Sequence, residues 1–162
     1  MNVAEEETIY FLDTSALAKL YHQEQGSEMV EGWAADHTIR LWLSDLARVE
    51  LHSVFVRKVR EGELVEATLQ TALECFHEDL RSRFSLVLLT EDIIERAISL
   101  LLEHGKRRPL RTLDALQIAS AQAVESNGLT FITADRQLFT AASELFMHTI
   151  NPEVESDNHQ EI

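Results

Sequence analysis

Two aspartates and their surroundings carry the first chemical signal. Asp13 follows Ile9-Tyr10-Phe11-Leu12 and precedes Thr14-Ser15, while Asp135 follows Thr130-Phe131-Ile132-Thr133-Ala134 and precedes Arg136. Each reads as an acid at the end of an apolar strand and the start of a helix. In an open α/β sheet, strand ends and helix starts that share one edge build the ligand site. Two more acids, Glu50 and Asp114, sit early in apolar helices; the neighbours of Asp114 are Leu113, Ala115, Leu116, Ile118 and Ala119. Buried ionised carboxylates must be paired, neutralised or metal-bound. Four meeting at one edge would need a cation between them, which points to metal-dependent chemistry on a phosphate compound.

Each acid also has an ordinary structural explanation. Asp13 and Asp135 are in position to cap helices. Asp114 fits the first turn of a helix capped by Thr112, where the helix dipole favours an acid by about 0.3–1 kcal/mol. Glu50 in Ala47-Arg48-Val49-Glu50-Leu51 would by default pair with a neighbouring base. The two strand ends nevertheless share a further feature. Ser15 stands two residues after Asp13 and Thr133 two before Asp135, hydroxyls that could orient a carboxylate or a water and are equally common turn formers.

The elements that must position these groups follow from hydrophobic periodicity. Strands are predicted at residues 8–13, Ile39–Leu43, Ser85–Leu89 and Thr130–Ala134, with a last edge strand at Met147–Ile150. Helices are predicted from Thr14 to about His22, Gly26 to Asp36, Glu63 to Arg83, Glu91 to His104, Leu110 to Ser126 and Arg136 to Phe146. One more, capped by Ser44 or Asp45, runs to Arg60 with Leu46, Val49, Val54, Val56 and Val59 inward. The long helix after Gly62 should turn Leu64, Ala67, Leu69, Leu73, Phe76 and Leu80 inward. Alternating strands and helices imply an α/β fold with a mainly parallel sheet of four to five strands and helices on both faces.

The chain of 162 residues suits one domain. Residues 1–7 read as an acidic extension, 8–150 as the folded domain and 151–162 as an acidic, disordered tail. The single cysteine, Cys75, cannot form an internal disulfide and is expected to pack as a small core hydrophobe. No leader or membrane-spanning pattern is visible, so a cytoplasmic location is expected. The seven histidines show no ligand spacing, and phosphate-binding glycine loops are absent.

In their order along the chain, the four acidic stretches resemble the PIN-domain nucleases, particularly the VapC-type toxin ribonucleases of VapBC systems. The matching segments are Phe11-Leu12-Asp13-Thr14-Ser15-Ala16-Leu17, Ala47-Arg48-Val49-Glu50-Leu51, Leu110-Arg111-Thr112-Leu113-Asp114-Ala115-Leu116-Gln117-Ile118-Ala119 and Phe131-Ile132-Thr133-Ala134-Asp135-Arg136-Gln137-Leu138. The resemblance covers residues 8–150 and implies a PIN fold with Asp13, Glu50, Asp114 and Asp135 around Mg²⁺ or Mn²⁺. Oxygen-only ligands suit those hard cations, and the absence of a Cys/His cluster disfavours zinc. The implied activity is cleavage of single-stranded RNA to leave a 5′-phosphate. Asp13, Asp114 and Glu50 would be the principal ligands, with Asp135 holding a second cation or a water. The implied partners are RNA and a small antitoxin whose segment covers the acidic cleft with an arginine among the carboxylates. A homodimer is also implied, for which the helices between 45 and 83 would offer an apolar face.

Charge bears on the substrate. The formal net charge of −14 opposes a polyanion at long range, while suiting a basic partner protein. Within this acidic chain, Lys106, Arg107, Arg108 and Arg111 form a basic island just before Asp114, and Arg136 adjoins Asp135. Arg107, Arg108, Arg111 and Arg136 could therefore hold RNA phosphates, or serve as helix capping and surface charge. Two other functions compete. A phosphatase of the haloacid dehalogenase type needs an aspartate where Ser15 stands, and a catalytically silent PIN-like scaffold needs no metal.

Overall fold

The computed structural model describes residues 7–124, 128–145 and 147–154. Five strands, β1 (Thr8–Leu12), β2 (Ile39–Ser44), β3 (Phe84–Val87), β4 (Leu129–Ile132) and β5 (His148–Ile150), form one sheet in the order β3-β2-β1-β4-β5. Every pairing is parallel; Phe11 of β1 lies beside Trp42 of β2 and Phe131 of β4. This is the α/β arrangement expected from the sequence. Parallel register also carries Leu12, Ser44 and Ile132 to the same edge, so the residues that follow them emerge together.

Alternation along the strands divides the interior into two cores. Ile9, Phe11 and Phe131 face α5 (Glu91–His104), α6 (Thr112–Gln122) and α7 (Arg136–Glu144). Phe11 and Phe131 stack with ring centroids 5.7 Å apart. Leu12, Leu41, Leu43 and Ile132 face the opposite layer, made of α1 (Thr14–Leu17), α2 (Ser27–Ala35), α3 (Ala47–Arg60) and α4 (Glu66–Ser82). Among the described residues, no helix is long and apolar enough to cross a membrane.

Several elements differ from the sequence reading, each for a local reason. The first helix gives way after Leu17 to a 3₁₀ turn, Ala18–Leu20, in which Lys19 is buried and bonds Glu24 at 2.9 Å and Glu153 at 2.7 Å. Glu153, expected in a solvated tail, is therefore an internal partner, and residues 151–154 pack onto the domain. Gly26 permits this approach: its φ is +85°, and a Cβ there would lie 2.6 Å from the Pro152 carbonyl oxygen. The remaining tail, residues 155–162, and residues 1–6 lie outside the described residues, as do Ser126, Asn127 and Phe146, where two helix ends were placed.

Helix α3 starts at Ala47 after an uncapped Leu46, although Ser44 Oγ accepts from the Leu46 N–H. Its buried face is Ala47, Leu51 and Phe55; of the expected stripe, Val54 and Val59 pack partly buried against that core, whereas Val49 is 72% and Val56 54% exposed. Helix α4 begins three residues later than expected, because after Gly62 the N–H groups of Glu63 and Leu64 turn back to the Lys58 carbonyl. Ala67 is exposed on it, and Cys75 is exposed rather than core, since Ala72 and Phe76 take the inner face.

The stacked pair at the centre sets a stability test. Phe131→Ala, at a fully buried position, should cost about 3–5 kcal/mol, read as a lower urea midpoint at unchanged slope.

Candidate active site

Asp13 emerges from β1 and caps α1: its Oδ1 accepts from Ala16 N–H at 2.9 Å and from Ser15 Oγ at 2.7 Å. Its Oδ2 accepts from Thr133 Oγ1 at 2.9 Å. The same hydroxyls reach the other strand end. Ser15 Oγ accepts from the N–H groups of Ala134 and Asp135 at 2.9 and 3.2 Å, and Thr133 Oγ1 accepts from Asp135 N–H at 3.1 Å. Ser15 and Thr133 thus fasten the edge of β1 to that of β4 and aim Asp13 between them.

Asp13 is only 4% exposed, and among the described residues no basic side chain bonds it. Burial pushes its pKa up to about 7, against the lowering effect of its hydrogen bonds, and the charge of Glu50 pushes the same way. Glu50, in the first turn of α3, makes no ion pair among the described residues. Its Oε2 accepts from Thr14 Oγ1 at 3.0 Å and from Gln117 Nε2 at 2.6 Å. Its pKa is also raised, first by burial and further by the charge of Asp114. The expected salt bridge to a neighbouring base is absent because the side chain turns into the cleft instead.

Asp114 is the third residue of α6, and the preceding Arg111, not Thr112, is the residue that flanks the helix. Its Oδ2 accepts from the Arg111 N–H at 3.2 Å and Nε at 2.9 Å, and its Oδ1 from Arg111 Nη2 at 3.2 Å. The same Nη2 donates to Asp135 Oδ2 at 2.6 Å. Asp135 is a helix cap as well, its Oδ1 accepting from Gln137 and Leu138 N–H at 2.8 and 3.1 Å. Although partial burial opposes it, the cap bonds and Arg111 together hold its pKa below the usual carboxylate value.

All four acids line one cleft of about 710 Å³, together with Thr14, Lys19, Glu24, Arg57, Lys58, Arg111, Gln117 and Glu153. Of the basic residues proposed from the sequence, only Arg111 lines it. Arg107 and Arg136 are exposed elsewhere, and Arg108 is paired with Glu144. Gln117 was missed by the search for acids. Its signal was a polar side chain three residues after Asp114 on an otherwise apolar helix, hence on the same face. It is 2% exposed, and its Oε1 has no bonding partner among the described residues.

The donor chemistry fits a hard divalent cation: oxygen only, with Asp13 and Glu50 driven toward protonation when no cation is beside them. As the side chains stand, no group of three or more His, Cys, Asp or Glu among the described residues is placed to hold a metal ion. Arg111 supplies the positive charge on the Asp114–Asp135 side.

An open parallel sheet gathers these acids at its strand ends, and residues 10–144 match the PIN domain family model. The chain belongs to the PIN-domain family. It is 34% identical over 135 residues to ribonuclease VapC45 of Mycobacterium tuberculosis, an alignment covering 83% of this chain and 88% of the relative. Its fold matches the crystal structure of Mycobacterium tuberculosis VapC20, described as a sarcin-ricin loop cleaving toxin, with a TM-score of 0.61 at 19% identity over 82% of this chain and 94% of that one. It also matches VapBC2 from Rickettsia felis bound to a promoter DNA fragment, with a TM-score of 0.61 at 16% identity over 89% and 98% of the chains.

The Asp13 pKa gives a signed prediction. A carboxyl with a folded pKa near 7 and an unfolded value of 3.8 keeps its proton in the native state, so its contribution to stability is complete below about pH 4 and is lost as pH rises through 7. Asp13→Asn removes that loss, and the Thr133 hydroxyl can rotate to accept from the new amide. In EDTA at pH 8 the variant should melt about 5 °C above the parent, with the gap closing toward pH 4. Differential scanning calorimetry across that range checks it.

Proposed function

We propose that the protein is a divalent-metal-dependent endoribonuclease that cuts single-stranded RNA, acting as the toxin of a toxin–antitoxin pair. The observation that carries the reading is the convergence of Asp13, Glu50, Asp114 and Asp135 on one cleft where, among the described residues, one arginine bonds two of them and no basic side chain bonds the others. Relatives named as ribonucleases over most of their length support the reaction type. Solved toxin–antitoxin assemblies of the same fold support the partner.

Asp13, Glu50 and Asp114 would hold Mg²⁺ or Mn²⁺, and Asp135 a second cation or a water. A cation bound there would acidify a water and offset charge gathering on the phosphodiester oxygens. The chain's own residues do the positioning. Ser15 and Thr133 fix both oxygens of Asp13, while Thr14 and Gln117 hold one oxygen of Glu50 and leave the other open to the cleft. Arg57 at the same cleft offers a cation to an incoming phosphate.

A second reading, a silent PIN-like scaffold, draws on the lack of any three acids poised for one ion and on Arg111 neutralising two of them. One experiment separates the two. Single-stranded RNA should be cut in Mn²⁺ and left intact in EDTA. Asp13→Asn and Asp114→Asn should each lower the rate on the order of 100-fold or more. Full activity in both variants would refute the assignment, and no cleavage in any metal would favour the scaffold.

A further inference from the structure

We propose that Arg111 is the resident counter-ion of this site: in the metal-free protein its guanidinium clamps Asp114 to Asp135, and a divalent cation binds by displacing it. The inference rests on the metal reading above and assigns a role that the sequence did not suggest for this residue.

Geometry carries the argument. Among the described residues, Arg111 is the only basic side chain bonded to any of the four acids. It takes both oxygens of Asp114, Nε to Oδ2 at 2.9 Å and Nη2 to Oδ1 at 3.2 Å, and reaches Asp135 Oδ2 at 2.6 Å. Such forked, charge-assisted bonds are the strong ones. Asp114 is nearly enclosed, its side chain 9% exposed, so in the absence of metal it needs this partner. Arg111 itself is 56% exposed. It can swing out without opening a core.

A cation shared by Asp13, Glu50 and Asp114 must claim oxygen atoms that Arg111 already holds. Two positive groups on one carboxylate repel, so each weakens the other's hold. Metal affinity is then set by competition with a side chain of the same protein. Once displaced, the guanidinium stays on the lip of the cleft, where the next anion to arrive is a phosphate of the substrate. Arrival of metal thereby frees a phosphate-binding group.

The test is calorimetric titration of Mn²⁺ into the full chain, comparing the parent with Arg111→Gln and Arg57→Gln. Arg57 lines the same cleft and makes no bond to the four acids, so its variant controls for the simple loss of one charge. Arg111→Gln should bind Mn²⁺ about tenfold more tightly, within the usual range for two coupled ligands. Arg57→Gln should stay within about twofold of the parent. Equal affinity for Arg111→Gln and the parent, or an equal gain in both variants, would overturn the clamp while leaving the metal reading intact. Flat titrations of the parent and of Arg111→Gln alike would overturn both. A second readout needs no variant: the Nε–H resonance of Arg111 should move with Mg²⁺ along the same saturation curve, and a resonance that stays fixed while Mg²⁺ binds would also overturn the clamp.

Discussion

A carboxylate taken out of water with no cation beside it is the constraint on which the site depends. Asp13 is held by three donors, the Ala16 N–H and the hydroxyls of Ser15 and Thr133, and its pKa is nevertheless pushed up to about 7. Hydrogen bonds alone do not offset its burial, and Glu50 adds repulsion. The price is structural as well as electrostatic: the loops after β1 and β4 are tied to each other through the same two hydroxyls. Moving either strand end would disturb the acid, and releasing the acid would loosen the junction.

The three-layer fold makes this arrangement tenable. Two separate cores, one around Phe11 and Phe131 and the other around Leu12, Leu43 and Phe55, fix the central strands from both faces. Helices from opposite layers then deliver their acids to a common edge, Glu50 from α3 and Asp114 from α6, with Gln117 bridging from α6 to Glu50. The far lip of the cleft is framed by a second charge network, Lys19 and Lys58 with Glu24, Glu63 and Glu153. There both lysines are paired to acids.

Much of this was legible in the residues. Five strands and the order of the helices follow from periodicity, and the strand-end position of Asp13 and Asp135 follows from where apolar runs stop. The acids could be named because a charge inside an apolar helix stands out. What escaped were features set by tertiary contact. The buried face of α3 runs through Ala47, Leu51 and Phe55, and no local pattern distinguished it from the stripe containing Val49 and Val56. Lys19 and Glu153 are 134 residues apart and reveal their pairing only when the chain is folded. Arg111 looked like part of a basic island because sequence shows neighbours in a line, whereas the structure turns it away from Arg107 and toward Asp114 and Asp135.

The excess of acid over base in this chain, 28 against 14 residues, takes on a local meaning at the cleft. Of the four carboxylates, two are bonded by one arginine and the other two by no basic side chain among the described residues, so the site is short of positive charge. Completion of the site at Asp13 by a divalent cation is the property on which the proposed chemistry turns. Its most direct test is an NMR titration of the Asp13 carboxyl carbon with and without Mg²⁺. The Asp13 pKa should lie near 7 in the metal-free protein and fall below the ordinary 3.8 when Mg²⁺ is present. A titration curve that saturating Mg²⁺ leaves unmoved would contradict it.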